Sequence, residues 1–178
     1  MNYGLIGEKL GHSFSKPIHE QLASYTYELQ PLSKEQFPAF MQKKAFHAIN
    51  VTIPYKEAVI PYLTHMDQRA QRIGAVNTIV NDHGLLLGYN TDYDGFSYLL
   101  QKHKFSLQDK EILILGHGGT CKTITAVAQD RGAKKIWVAS RRPQGENVVS
   151  YEQAQKMQSI QIIVNASPQG MYLSLIHI

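Results

Sequence analysis

The sequence predicts an α/β protein in two parts, and three observations carry that reading. Short strands alternate with helices over the first hundred residues. The chain then turns polar at residues 103–110, His-Lys-Phe-Ser-Leu-Gln-Asp-Lys. It restarts with an apolar strand, Glu111-Ile-Leu-Ile-Leu, that runs into the glycine turn Gly116-His-Gly-Gly119 and a helical segment. A strand, a glycine turn and a helix in that order open a doubly wound α/β domain.

The first strand is expected over Tyr3 to Gly7, with a helix after Ser15. A second strand runs from Tyr27 to Leu32, and the next helix is opened by Ser33-Lys-Glu-Gln36. In this capping-box pattern the serine and the glutamine satisfy each other's backbone amides. His47-Ala-Ile-Asn-Val-Thr-Ile53 reads as a short buried strand, rich in β-branched residues and stopped by Pro54, with two short helices around 56–73. Asn77 to Asn81 and Leu85 to Tyr89 flank Asp82-His-Gly84, a hairpin turn. A helix of 92–103, with Thr91 or Asp92 near its cap, bridges to the second part. There the expected strands are 111–115, 135–140 and 160–165, with a helix from Thr120 to Asp130 between the first two. Three strands supply only the first half of a dinucleotide fold, which is built from two βαβαβ halves. The boundary is placed at the polar stretch, giving domains at 1–103 and 104–171, and residues 172–178 stand apart as an atypical tail.

The chain has 178 residues, 43% of them apolar and 18% charged, which is core enough for one domain or two small ones. Its net charge of +4 includes basic pairs at 43–44, 134–135 and 141–142 but no basic run. That pattern leans towards small anionic ligands and away from nucleic acid. Cys121 is the single cysteine, so an internal disulfide, a cysteine-based zinc spacing and a redox pair are all excluded, and a reducing compartment fits. The N-terminus has no charged segment ahead of a long apolar stretch, and no apolar run approaches membrane-spanning length. A soluble cytoplasmic protein without a membrane partner is expected.

The residues that carry chemistry lie in three blocks: Asn50-Val-Thr-Ile-Pro-Tyr-Lys56, Gly74-Ala-Val-Asn77-Thr78 and Gly88-Tyr-Asn-Thr-Asp92. They string a lysine, asparagines and an aspartate onto separate strand ends, where α/β proteins place their chemistry. Lys56 falls just past the end of the 47–53 strand, at the start of a helix. Such a set suits the binding and protonation of a polyhydroxylated ring, because an ammonium group is charged at neutral pH and supplies a proton to a developing alkoxide. No metal is needed for that chemistry.

The glycine turn lets backbone amides approach a pyrophosphate, whose charge then sits at a helix N-terminus. At the end of the next strand, Lys135-Ile-Trp-Val-Ala-Ser140, an NAD site commonly carries an acid for the ribose 2′-hydroxyl, whereas an NADP site carries arginine for the 2′-phosphate. Ser140 is not acidic, and Arg141 and Arg142 follow it, so NADP is the expected cofactor.

In this order the blocks resemble the shikimate dehydrogenase family, the enzymes that reduce 3-dehydroshikimate with NADPH in aromatic amino-acid biosynthesis. The resemblance runs from Gly4 to Met171 and adds Gly11-His-Ser13-Phe-Ser15 and Val164-Asn-Ala-Ser-Pro-Gln-Gly-Met171 to the blocks already named. It implies an N-terminal α/β substrate-binding domain followed by an incomplete Rossmann-like NADP-binding domain. It also implies that Ser13 and Ser15 donate to the substrate carboxylate, while Thr52, Asn77 and Asp92 hold the ring hydroxyls. Lys56 would be the proton donor and acceptor, with Asp92 stabilising its ammonium form. Gly116, His117, Gly118, Gly119 and Thr120 would cradle the pyrophosphate, and Ser140 with Arg141 the 2′-phosphate. The chain departs from the family at Lys16, between Ser15 and Pro17, and at His117 and Thr123, where the family carries small residues. Arg142 stands at a common threonine position, and Gly145 where a second phosphate-binding arginine often sits, so that Arg142 substitutes for it.

Residues read from the chemistry alone have plainer alternatives. Ser13 and Ser15 also suit a helix cap, Asn77 suits turn chemistry at a strand start, and the arginine pair suits a solvated loop. The family continues beyond Met171 with a further nicotinamide-side segment and a terminal helix, and Tyr172-Leu-Ser-Leu-Ile-His-Ile178 does not resemble it. A fragment of a longer enzyme, a homodimer when full length, is therefore expected. A quinate or shikimate dehydrogenase paralogue using NAD, and a noncatalytic binder of a shikimate-like acid, are the competing readings; the arginine pair speaks against the first of these.

Overall fold

The structure, a computed structural model, describes residues 1–11 and 13–169. The atypical tail at 172–178 and the last two residues of the Val164–Met171 motif lie outside the described residues. The chain divides into two compact units, Met1–Thr91 and the part that begins at Asp92.

The first unit runs β1 (Tyr3–Gly7), α1 (Ser15–Leu22), β2 (Tyr27–Pro31), α2 (Gln36–Lys43), β3 (Ala48–Val51), β4 (His65–Met66), α3 (Gln68–Ile73), β5 (Thr78–Asp82) and β6 (Leu85–Tyr89). Its sheet has the order β2-β1-β3-β5-β6-β4. The pairs β1–β2, β1–β3 and β4–β6 are parallel, and β5 runs antiparallel to both β3 and β6. Because successive strand residues face opposite sides, Ile6 enters a core with Phe37, Met41, Ile49 and Leu86. Leu5 packs on the other side with Leu10 and Tyr27. The antiparallel β5 brings Thr78 opposite Asn50 and Tyr89, so the start of β5 meets the carboxyl ends of β3 and β6.

Two local expectations appear in full. Ser33 Oγ accepts from the Gln36 amide at 3.3 Å while Gln36 Oε1 accepts from the Ser33 amide at 3.0 Å, closing the capping box. Asp82 and Leu85 face each other across His83 and Gly84, with φ of 50° and 91°. That pair of left-handed residues is what a two-residue type I′ hairpin requires.

The stretch 56–73 differs from the two helices expected. Residues 53–59 form hydrogen-bonded turns, Tyr55 N–H to Thr52 O and Val59 N–H to Tyr55 O, followed by a single 3₁₀ turn at Ile60–Tyr62. Pro54 and Pro61 each remove a backbone donor and bias the preceding residue away from the helical region. His65 and Met66 instead pair with Leu87 and Gly88 as β4, which leaves α3 as the helix of this stretch.

The second unit runs α4 (Asp92–Lys102), β7 (Glu111–Leu115), α5 (Gly119–Asp130), β8 (Lys135–Ala139), β9 (Val148–Val149), α6 (Tyr151–Gln155) and β10 (Ile162–Asn165). All its pairings are parallel, in the order β10-β7-β8-β9. Numbered within the unit and read from β9, that is 3-2-1-4, the opening of the 3-2-1-4-5-6 order of a doubly wound dinucleotide fold. The described residues thus hold one strand more than the three expected. On one face Leu100, Ile112, Ile114, Ile124 and Val127 form a core with Tyr93 and Phe96; on the other Leu113, Ala139 and Ala154 pack with Trp137 and Met157.

The units divide between Thr91 and Asp92 rather than at the polar stretch 103–110. The reason is packing: Tyr93, Phe96 and Leu100 of α4 join the core of the second unit. The Tyr93 hydroxyl also donates to the Asp130 carboxylate, and the Arg131 guanidinium donates to the Ser97 carbonyl at 3.2 Å. The polar stretch is a loop inside that unit, pinned by the buried Leu107. Among the described residues no helix is long and apolar enough to cross a membrane.

Candidate active site

In the first unit the expected residues gather where β1, β3 and β6 end and β5 begins. Thr52 follows β3, and its amide donates to Ile6 O at 2.9 Å. Lys56 lies in the turn series beyond it, and its carbonyl accepts from the Val76 amide at 2.8 Å. The Val51 amide donates to Asn77 O at 2.8 Å, so residues 51–56 and 76–77 are joined at both ends of the segment. Asn77 itself is buried, 8% exposed, and its amide donates to Tyr89 O at 3.0 Å. Ligand sites in open α/β sheets lie outside the carboxyl ends of strands, which is this edge.

Ser13 and Ser15 lie at the start of α1. Ser13 Oγ accepts from the Ser15 amide at 3.2 Å, a serine turn that opens the helix, and Ser15 is the first helical residue with Phe14 at the cap position. Burial, with a smaller contribution from Tyr25, raises the Tyr27 pKa well above its ordinary value, against a smaller opposing effect of Ser15. Tyr27 therefore keeps its proton and donates it to Asn50 Oδ1 at 2.6 Å. Asn50 Nδ2 donates to Thr78 Oγ1 at 3.1 Å, and Thr78 Oγ1 donates to Asn77 Oδ1 at 3.1 Å. Asn77 Nδ2 donates to Thr91 Oγ1 at 2.9 Å. A continuous polar row thus joins Tyr27 to Thr91.

Of this row, Asn50 and Thr78 lie within the sequence blocks that carry chemistry, without an individual role assigned to either, and Tyr27 lies outside them. Tyr27 left no signal, because its partner Asn50 lies 23 residues away in the chain. Asp92 is the first residue of α4 and so belongs to the second unit, directly after Thr91. Among the described residues no three His, Cys, Asp or Glu side chains gather as a metal site.

In the second unit the glycine turn separates two jobs. Gly116 has φ +104°, its amide donates to Ala139 O at 2.9 Å, and a Cβ there would lie 3.1 Å from Ala166 O and from Ser167 N. The start of the Val164–Met171 motif therefore packs on this glycine at the adjoining ends of β7 and β10. Gly118 has φ −120° and is the N-cap of α5, with no side-chain cap, and a Cβ there would meet nothing within 4 Å. Gly119 and Thr120 open α5, so first-turn amides stand at a helix start with no side chain in the way, as a phosphate requires. His117 is exposed, and Thr123 is buried with its hydroxyl donating to Gly119 O at 3.3 Å. That back-bond to the preceding turn satisfies the larger side chain inside the helix.

At the end of β8, Ser140 Oγ accepts from the Arg142 amide and donates to the Arg142 carbonyl, both at 3.2 Å. Its hydroxyl shapes the loop that carries Arg141 and Arg142, both exposed. An exposed arginine pair where an NAD site carries an acid fits a 2′-phosphate.

Comparison with known proteins gives the same direction. The family model for the shikimate dehydrogenase substrate binding domain matches residues 5–79. The NADP(+) shikimate dehydrogenase of Clostridium beijerinckii is 36% identical, over 96% of this chain and 68% of its own length. The chain belongs to the shikimate dehydrogenase family. Among solved structures, shikimate dehydrogenase 1 of Peptoclostridium difficile superposes with a TM-score of 0.90 at 35% identity, covering 97% of this chain and 70% of that one. The Thermus thermophilus shikimate dehydrogenase solved with NADP(H) and shikimate gives 0.79 at 31% identity, over 94% of this chain and 69% of its own. Within this family the first unit corresponds to the substrate-binding part, and the second has the Rossmann-like strand order.

Proposed function

We propose that this chain catalyses the reversible NADP-dependent interconversion of 3-dehydroshikimate and shikimate in aromatic amino-acid biosynthesis. The observation that carries the reading is the gathering of Thr52, Lys56 and Asn77 at one edge of the first sheet, joined by the Val51–Asn77 and Val76–Lys56 hydrogen bonds. Three polar side chains of different chemistry at one strand edge suit a small ring that carries several hydroxyls.

In the reducing direction the ring ketone becomes an alkoxide, and the Lys56 ammonium gives its proton to that oxygen. In the oxidising direction the neutral amine takes the hydroxyl proton back. Thr52 and Asn77 are assigned to ring hydroxyls, and Ser13 and Ser15 to the carboxylate. Asp92 is assigned to accept a ring hydroxyl. When bound, NADPH supplies the hydride that reduces the ketone carbon. The glycine turn would hold the pyrophosphate of the cofactor through the amides that follow Gly116, whose own amide is taken by Ala139 O, and Arg141 and Arg142 would hold its 2′-phosphate. A cytoplasmic location, consistent with the single cysteine, and a homodimeric assembly complete the reading.

The test is the appearance of reduced nicotinamide absorbance on mixing the protein with shikimate and NADP, repeated with NAD. Turnover with NADP well above that with NAD is expected. Equal or faster turnover with NAD would favour the NAD-using paralogue. Calorimetric binding of shikimate without any absorbance change would leave a noncatalytic binder.

A further inference from the structure

The polar row from Tyr27 to Thr91 has a direction, set at two points by main-chain groups that act in only one way. The Asn77 carbonyl only accepts, so the Asn50 atom facing it at 3.5 Å is Nδ2, which leaves Oδ1 for the Tyr27 hydroxyl. The Thr91 amide only donates, so the Asn77 atom facing it at 2.9 Å is Oδ1. Thr78 then receives a hydrogen from Asn50 and passes its own to Asn77. Asn77 Oδ1 is filled by the Thr78 hydroxyl, the Thr91 amide and the Thr91 hydroxyl. Of the two Nδ2 hydrogens, one goes to Thr91 Oγ1. The second hydrogen is what this side chain has left to offer a ligand.

Tyr27 sits at the head of that row. Its ring is buried, 2% exposed, and stacks on the His19 ring at 4.1 Å and 17°. Packing therefore holds its hydroxyl in place whether or not a ligand is present. Since Asn50 Oδ1 is an acceptor, Tyr27 must donate to it.

We infer that Tyr27 is a positioning residue for substrate selection: its hydrogen bond to Asn50 holds in place the row whose direction the Asn77 carbonyl and the Thr91 amide set, so that Asn77 presents an N–H at a fixed point and the site selects a ring oxygen that accepts there. This rests on the dehydrogenase reading. A substrate lacking the oxygen opposite Asn77 leaves a buried donor without a partner, which is how such sites reject analogues.

The test compares kcat/KM for shikimate with that for analogues lacking one ring hydroxyl each, in the parent enzyme, Tyr27→Phe and Thr78→Val. Tyr27→Phe removes one oxygen and keeps the stacked ring; Thr78→Val cuts the row further along with a residue that suits a strand. In both variants the discrimination against one analogue is expected to shrink about tenfold, the worth of a typical hydrogen bond. The KM for NADP and the thermal midpoint are read alongside, because a purely structural loss moves those and lowers all substrates alike. Turnover in the parent with unchanged discrimination in both variants overturns the inference alone. No turnover in the parent sinks the dehydrogenase reading, and the inference with it.

Discussion

Gly116 and Gly118 stand two residues apart in one turn, yet the structure gives them opposite sensitivities. In Gly116→Ala the new methyl falls 3.1 Å from Ala166 O and Ser167 N and 3.2 Å from Ala166 C, at φ +104°. A non-glycine residue in such a sparsely populated region costs on the order of 1–3 kcal/mol. The crowded contacts are backbone atoms that cannot swing aside, which puts the loss near 2 kcal/mol. At roughly 2–4 °C per kcal/mol for a chain of this size, the thermal midpoint falls by about 4–8 °C. Gly118→Ser behaves differently, because its backbone is extended, with φ −120° and ψ −170°, and its Cβ has open space. A serine N-cap is favoured over glycine, so stability is unchanged or higher by a few tenths of a kcal/mol. Its hydroxyl, however, takes a first-turn amide of α5 that a phosphate needs, and NADP affinity falls by about tenfold, one hydrogen bond's worth. Thermal unfolding without cofactor, paired with calorimetric NADP titration, separates the two effects. A Gly116→Ala protein as stable as its parent would refute the reasoning, as would a Gly118→Ser protein that binds NADP normally.

Two further outcomes follow from the second unit. Arg141→Ala is expected to raise the KM for NADP by roughly 10- to 100-fold, the loss of one charge-assisted contact, and to leave the KM for NAD nearly unchanged; equal effects on both would argue against a 2′-phosphate contact. Burial raises the Cys121 thiol pKa against smaller opposing effects of Thr125 and Lys122, so the thiolate is scarce at neutral pH. A thiol reagent should therefore modify the native protein slowly and the denatured chain fast, and rapid stoichiometric labelling of the native state would contradict that placement.

What the sequence showed best was local and periodic. The capping box at Ser33, the hairpin at His83-Gly84 and the strand of Glu111–Leu115 each depend on neighbouring residues, and each is present. The stretch around Lys56 forms turns rather than helix because Pro54 and Pro61 interrupt it, and the strand at His65–Met66 depends on pairing with β6 from 22 residues away. β9 is two residues long and carries no periodic signal. The helix after it did leave one, since Ser150-Tyr-Glu-Gln153 repeats the capping-box pattern of Ser33 to Gln36 and forms the same reciprocal bonds. At the candidate site, motif residues were legible one by one, whereas the row that orients them was not. Its links from Tyr27 to Asn50 and from Asn50 to Thr78 span 23 and 28 residues, and only the folded sheet brings those side chains together.

The central claim is that Lys56 moves the proton while its neighbours hold the ring, and steady-state kinetics of Lys56→Ala with shikimate and NADP test it most directly. The account predicts that kcat falls by about 10²- to 10⁴-fold, the usual worth of general acid–base help. The KM for shikimate should stay within a few-fold, because Thr52 and Asn77 still bind. A kcat within about threefold of the parent would remove Lys56 from the chemical step.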